Sequence, residues 1–201
     1  MMALNLTTSA TGTAVGLSTD LTTGVIDRFR ALPMWRAAVL VGRSISDLLT
    51  AALCSAIVAL TGLVVGWRTH TGALSVLGGF GVLLLFSYSV SWAVGCIGLV
   101  AKGPESGMSM AFIILFPLAF VSNAMVATQH MPTVLRAIAD WNPVSAVTAA
   151  ARQLFGNPNP SAAVHAWPMQ HPVAASVLWS MAILAVFAPL ATHVFRRRTV
   201  E

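Results

Sequence analysis

Charge is what this chain has least of. Eleven Lys and Arg and six Asp and Glu occur among 201 residues, 8% against about 25% in an ordinary soluble domain. With 57% hydrophobic residues and a mean hydropathy of +0.81, that shortage leaves too little solvating surface for a soluble globular enzyme. The same apolar content excludes a disordered chain, which needs low hydrophobicity. Lysine is nearly missing. Lys102 is the only one, in Ala101-Lys102-Gly103-Pro104, so no Gly-rich loop ending in Gly-Lys-Ser/Thr exists and the chain has no P-loop of its own. Neither His-Glu-x-x-His nor Gly-x-Ser-x-Gly occurs. His130, His165 and His171 are spaced by 35 and 6 residues, which matches no usual ligand pattern, and no metal site is expected. Cys54 and Cys96 both sit in apolar runs and read as free thiols packed like small hydrophobes.

What is there is long apolar sequence. A crossing needs about 20 apolar residues, and four stretches qualify: 44–66, 73–101, 108–128 and 173–195. They are continuous rather than alternating, so they predict helices and not barrel strands. Residues 1–22 are weakly apolar and rich in Thr, with no Lys or Arg before Arg28; they read either as the last part of a span or as an amphipathic tail. The net charge of +5 does not point to nucleic acid, because the cations gather at the ends of apolar runs. One side of the bilayer receives Arg28, Arg30, Arg36, Arg43, Lys102 and Arg196 to Arg198, the other Arg68, Arg136 and Arg152. The richer side is expected to be cytoplasmic, with the C-terminus there. Between the last two spans, Asn142-Pro143 is an N-cap with proline at the first helical position and Gly156 a stop, predicting a helix over 143–155; a shorter one is expected over 132–140, with Arg136 and Asp140 spaced i,i+4.

Few residues carry chemistry. In 24–33, Ile26, Phe29 and Leu32 share one helical face, Asp27 and Arg30 another, Arg28 projects outward and Pro33 closes the helix. Such a helix suits a lipid surface, and it equally suits insertion into a soluble partner. Arg43 and Asp47 are spaced i,i+4 at the start of the first full span and are expected to form a structural ion pair. Asp47 is the only acid in the four spans, which argues against proton coupling. Gly62 and Gly66, and Ser87, Ser91 and Gly95, offer small-residue faces for packing within the chain or between copies. Asn123, with Ser122, either lines a cavity or hydrogen-bonds between helices.

The stretch Gly24-Val-Ile-Asp-Arg-Phe-Arg-Ala-Leu-Pro33, followed by Gly42-Arg43 and Asp47, resembles the ABC transporter type-2 permease family, most closely its daunorubicin/doxorubicin-resistance branch of actinobacteria. Phe116-Pro-Leu-Ala-Phe-Val-Ser-Asn-Ala124 with Met131-Pro132, and Asn142-Pro-Val-Ser-Ala-Val-Thr with Arg152, follow in order, so the resemblance covers about 10–195. It implies an all-α transmembrane domain with four full spans plus a partial N-terminal one. The 24–33 helix would be a cytoplasmic coupling helix seated in a separate P-loop ATP-binding subunit. Phe29 and Leu32, with Ile26, would be the buried contact; Asp27, Arg28 and Arg30 the polar rim; Pro33 the end of the helix. Residues 132–155 would be the outer half-helices. Ser122 and Asn123, with Phe116 and Phe120, would border a substrate path.

The resemblance further implies a permease subunit, working as a pair of copies in the inner membrane of a bacterium and exporting hydrophobic or amphipathic drugs or lipids. ATP and Mg would bind the partner, and this chain would hold no cofactor and perform no catalysis. The alternative is a membrane scaffold that oligomerises without transporting. Family permeases typically have six spans and this chain begins within the second; either the start is assigned at an internal Met, which is the expectation, or the chain is a degraded gene product. Ala127 stands where the family often has proline.

Overall fold

The computed structural model describes residues 11–22, 38–68, 71–124, 132–158 and 166–198. Every regular element among them is helical: α1 (Thr11–Thr22), α2 (Ala38–Val64), α3 (Ala73–Val100), α4 (Pro104–Phe120), α5 (Thr133–Trp141), α6 (Pro143–Phe155), α7 (Trp167–Gln170) and α8 (Pro172–Arg198). Three contain stretches long and apolar enough to cross a membrane: Val41–Val64 in α2, Ala73–Val100 in α3 and Pro172–Phe195 in α8. The predicted coupling helix over 24–33, and with it Ile26, Asp27, Arg28, Phe29, Arg30, Leu32 and Pro33, lies outside the described residues.

The run expected as a span over 108–128 differs. Its helix, α4, has 17 residues and ends at Phe120. At 1.5 Å per residue it is about 26 Å long, short of the roughly 30 Å hydrocarbon core. Pro117 removes one backbone donor near its end, and the chain then turns over 121–124. The exposed C-terminal carbonyls of α4 are collected by Asn142, whose Nδ2 donates to Leu118 O at 2.7 Å and Val121 O at 3.3 Å.

α3 is the central post. It packs against α1, α2, α4, α6 and α8, and carries the largest buried side chains, Leu83, Phe86, Val94 and Leu99. The main core joins Val82, Leu83, Phe86, Val90 and Val94 to Ala111 and Leu115 of α4 and to Val144, Val147, Ala150 and Phe155 of α6. A second cluster ties Trp92, Cys96 and Leu99 to Ala191 and Phe195 of α8. Cys54 and Cys96 are free thiols, and Cys96 Sγ donates to Phe187 O at 3.4 Å. α2 turns Ile45, Leu49, Leu53, Ile57 and Leu60 outward at near-fourfold spacing, a stripe suited to lipid.

α1 is no frayed tail. Thr13, Ala14 and Ser18 are buried, and the backbone of α1 touches two glycines. A Cβ on Gly98 would stand 2.9 Å from Ala14 O, and one on Gly107 3.3 Å from the same oxygen and 3.2 Å from Ser18 Oγ. Small residues therefore let α1, α3 and the start of α4 approach at backbone distance. Gly62 and Gly66 are used differently from the expected helix-packing face. Gly62 abuts the Trp67 side chain, and Gly66 takes φ +101° in the turn that ends α2, a conformation natural to glycine.

Candidate functional site

Two polar groupings stand out, one at each end of the bundle. At the end where α2 begins, Arg43 Nε lies 3.5 Å from Asp47 Oδ1, one turn further along. The guanidinium reaches across to α1, where Nη2 is 3.4 Å from Gly12 O and the whole group rests on Gly16. Any Cβ at Gly16 would collide with it. Gly16 thus leaves room for a charged side chain, while Gly12 contributes only its carbonyl. Sequence reading missed this role because α1 looks merely weakly apolar, and nothing in its own residues marks Gly16 as the one that meets Arg43.

At the opposite end, α6 organises a polar clasp. Its start is specified as the sequence requires: Asn142 Oδ1 accepts from Val144 N at 2.8 Å, Pro143 opens the helix, and Gly156 closes it at φ 72°. Because the same Asn142 side chain also holds the carbonyls of α4, one residue starts one helix and terminates another. The 121–124 turn is pinned on α6. Asn123 N donates to Ser145 Oγ at 2.8 Å, Arg152 Nη1 donates to Asn123 Oδ1 at 2.5 Å, and Arg152 Nη2 is 3.4 Å from Asn123 O. Burial lowers the pKa of the Arg152 guanidinium, which meets an amide and a carbonyl there. At the end of α6, Phe155 fits edge-on between Trp67 and Phe80, with ring centroids 5.4 Å away in each case. A Cβ on Gly79 would come within 2.7 Å of that ring. Trp67 Nε1 donates to Asn157 Oδ1 at 3.1 Å and Thr71 Oγ1 to Leu154 O at 2.6 Å, closing the end.

The four residues expected beside a substrate path divide into two pairs. Ser122 and Asn123 are buried, 0% and 3% exposed, and serve the clasp; Ser122 Oγ donates to Ala119 O and accepts from Ala124 N. The Ser122 hydroxyl is held by its own turn, and Asn123 is committed to hydrogen bonds with α6. Phe116 and Phe120 are half exposed and belong to a ladder with Phe112, with centroids 4.9 and 4.8 Å apart. Among the described residues no three His, Cys, Asp or Glu side chains gather in a way that could hold a metal ion. Asp140, in α5, is 4% exposed with Oδ1 unpartnered; burial raises its pKa, and the charge of Arg136 pulls it down.

This arrangement of an ion pair near the start of α2, three long apolar helices and three short helices ahead of the last one can be set beside known proteins. Residues 1–155 match the ABC-2 type transporter family. The chain belongs to that family. It is 36% identical over all of its 201 residues to a daunorubicin resistance ABC transporter permease protein of Streptomyces coeruleorubidus, covering 67% of that protein. It is 25% identical over 197 residues to the doxorubicin resistance ABC transporter permease protein of Mycobacterium tuberculosis, covering 94% of this chain and 65% of that one. The chain therefore spans about two thirds of the length of these curated relatives. No solved structure matches it.

Proposed function

We propose that this ABC-2 chain is the permease part of an exporter for hydrophobic or amphipathic compounds, drugs among them, driven by ATP hydrolysed on a separate P-loop subunit. The observation that carries the reading is membership of the family over 1–155, supported by relatives that are themselves drug-resistance permeases. The chain supplies no nucleotide-binding loop, so energy must arrive through contact with a partner. In this reading the 24–33 helix receives it: Phe29, Leu32 and Ile26 enter a cleft of the ATP-binding subunit, with Asp27, Arg28 and Arg30 around them. Two copies of the permease face each other, with the Phe116 and Phe120 ladder as an apolar wall. The clasp at Asn123 and Arg152 then lies on the outer side, and the C-terminus on the cytoplasmic side of an actinobacterial inner membrane.

Phe29→Asp tests this. The expected result is a chain that still enters the membrane but no longer co-purifies with the P-loop ATPase from its native host. Undiminished recovery of the ATPase would overturn the coupling assignment. A wild-type chain that recovers no ATPase at all would overturn the exporter.

A further inference from the structure

The short helix α5 carries an apolar face turned away from the bundle. Val134, Ile138 and Trp141 recur at i, i+4 and i+7, so they share one side of the helix, and each is more than half exposed. Ala139 and Asp140, both buried, make the opposite side, and α5 packs against α6 and α7. Neither charge of α5 belongs to the outward face. Asp140 is buried, and Arg136, half-buried, stands one turn before it on the same side.

Two hydrogen bonds fix how deep this face lies. Lys102 and Glu105, both exposed, hold the start of α4 at one edge of the apolar slab. From Glu105 to Phe120 the helix rises about 22 Å. Any tilt lessens that rise, so α4 ends short of the opposite edge of a core roughly 30 Å thick. Asn142 Nδ2 donates to Leu118 O and Val121 O at that end. Trp141, its neighbour in sequence, is thereby held at the far boundary of the hydrocarbon and not above it in water. Trp167 of α7, which touches α5, is nearly half exposed as well. Two indoles at one level match the aromatic girdle of a bilayer boundary.

Depth and size choose the occupant. A soluble protein would have to reach below the membrane rim to cover the face. A second copy would gain little from it: the nine residues of α5 present a strip about 13 Å long and 10 Å wide, far below the roughly 800 Å² per partner of a stable association. Lipid needs no minimum area, and an uncharged face flanked by tryptophan suits it.

We infer that α5 is an interfacial anchor whose Val134–Ile138–Trp141 face docks into the phospholipid leaflet on the clasp side. The aliphatic side chains lie among the first acyl methylenes, and the Trp141 indole lies at the level of the ester and phosphate oxygens. Because Asn142 joins α5 to the end of α4 and the start of α6, that leaflet bears directly on the clasp. The anchor needs only that α2, α3 and α8 cross a bilayer, and it stands apart from the exporter reading.

The test uses the full chain in phospholipid nanodiscs, with nitroxide labels placed singly on Val134→Cys and Ile138→Cys in a Cys54→Ser, Cys96→Ser background. Collision with molecular oxygen, which concentrates in lipid, is expected to exceed collision with a water-soluble nickel chelate severalfold at both positions. Stronger collision with the nickel chelate would place the face in water and overturn the anchor. Exclusion of both agents would mean that protein covers the face and would overturn it too; dipolar coupling between labels would name a second copy as the cover. A second measurement keeps both native cysteines. The emission of Trp141, taken as wild type minus Trp141→Phe, is expected to be quenched severalfold more by phospholipid brominated near the glycerol end of its acyl chains than by aqueous iodide. Iodide quenching equal to or stronger than that of the lipid, or quenching by neither, would overturn the anchor.

Discussion

Arg152 donates to Asn123 Oδ1 across 2.5 Å, so a half-buried cation on α6 is answered by a neutral amide of the turn that follows α4. A hydrogen bond to a charged group contributes about 2 kcal/mol, and loss of one partner also strands the other. Arg152→Ala is expected to lower stability by about that amount in detergent unfolding. Asn123→Ala costs at least as much because the guanidinium then keeps only the carbonyl of residue 123, and the double variant costs less than the sum. Arg152→Lys does not restore the pair, since one ammonium cannot reach both Oδ1 and the carbonyl as the planar fork does. Additive losses in the double-mutant cycle would contradict the clasp.

Asn142 acts on two helices and the two actions separate. Asn142→Asp keeps an oxygen for Val144 N and loses the donor to Leu118 O and Val121 O; Asn142→Ala loses both. The alanine variant is expected to lose about 2 kcal/mol, near the upper end for a cap, and the aspartate variant about half of it. Hydrogen exchange reports the location: aspartate should loosen the end of α4 alone, alanine also the first turn of α6. Equal protection in both variants would refute the shared cap.

Much of this was legible in the sequence, and the reason differs by element. The 143–155 helix was fixed by purely local chemistry, the Asn142-Pro143 start and the Gly156 stop, and it forms over those residues. The three long apolar helices follow from run length alone. Arg43 and Asp47 meet because i,i+4 is a geometric property of any helix. What sequence did not reveal depends on partners far along the chain. The apolar run to Thr128 hid the end of α4 at Phe120, because the groups that receive its carbonyls lie on Asn142. Sequence left Asn123 open between lining a cavity and hydrogen-bonding between helices, and the bonds to Ser145 and Arg152 decide for the second.

Gly16→Val should disrupt the ion pair without touching either charge, because a side chain at 16 occupies the space of the Arg43 guanidinium. The expected result is a loss of at least 2 kcal/mol, comparable to overpacking a core. Combination with Arg43→Lys should recover part of it, since an ammonium is smaller than the guanidinium. A Gly16→Val chain of wild-type stability would show that Arg43 does not rest there.

Asp140 sets a pH dependence with a definite sign. Its pKa in the folded chain is raised by burial against the pull of Arg136, so ionisation at neutral pH works against folding. That penalty is complete above the folded pKa and is relieved as pH falls through it toward the ordinary value near 4. Thermal midpoints measured downward from pH 7 should therefore rise relative to those of Asp140→Asn, which lacks the titration. Parallel curves would show that Asp140 does not titrate against folding.

The backbone contact of α1 with Gly98 and Gly107 bears on how the chain is built as well as on how it stands. Half of the twelve residues of α1 are Thr, Ser or Asp, too polar to settle in lipid unaided, and yet Ala14 and Ser18 end up wholly enclosed. The surfaces that enclose them belong to α3 and α4, which the ribosome makes some eighty residues later. The earliest described helix must therefore wait at the translocon or the membrane surface until those two arrive. A bulkier residue at position 98 or 107 would strand it there, turning a packing defect into one of biogenesis.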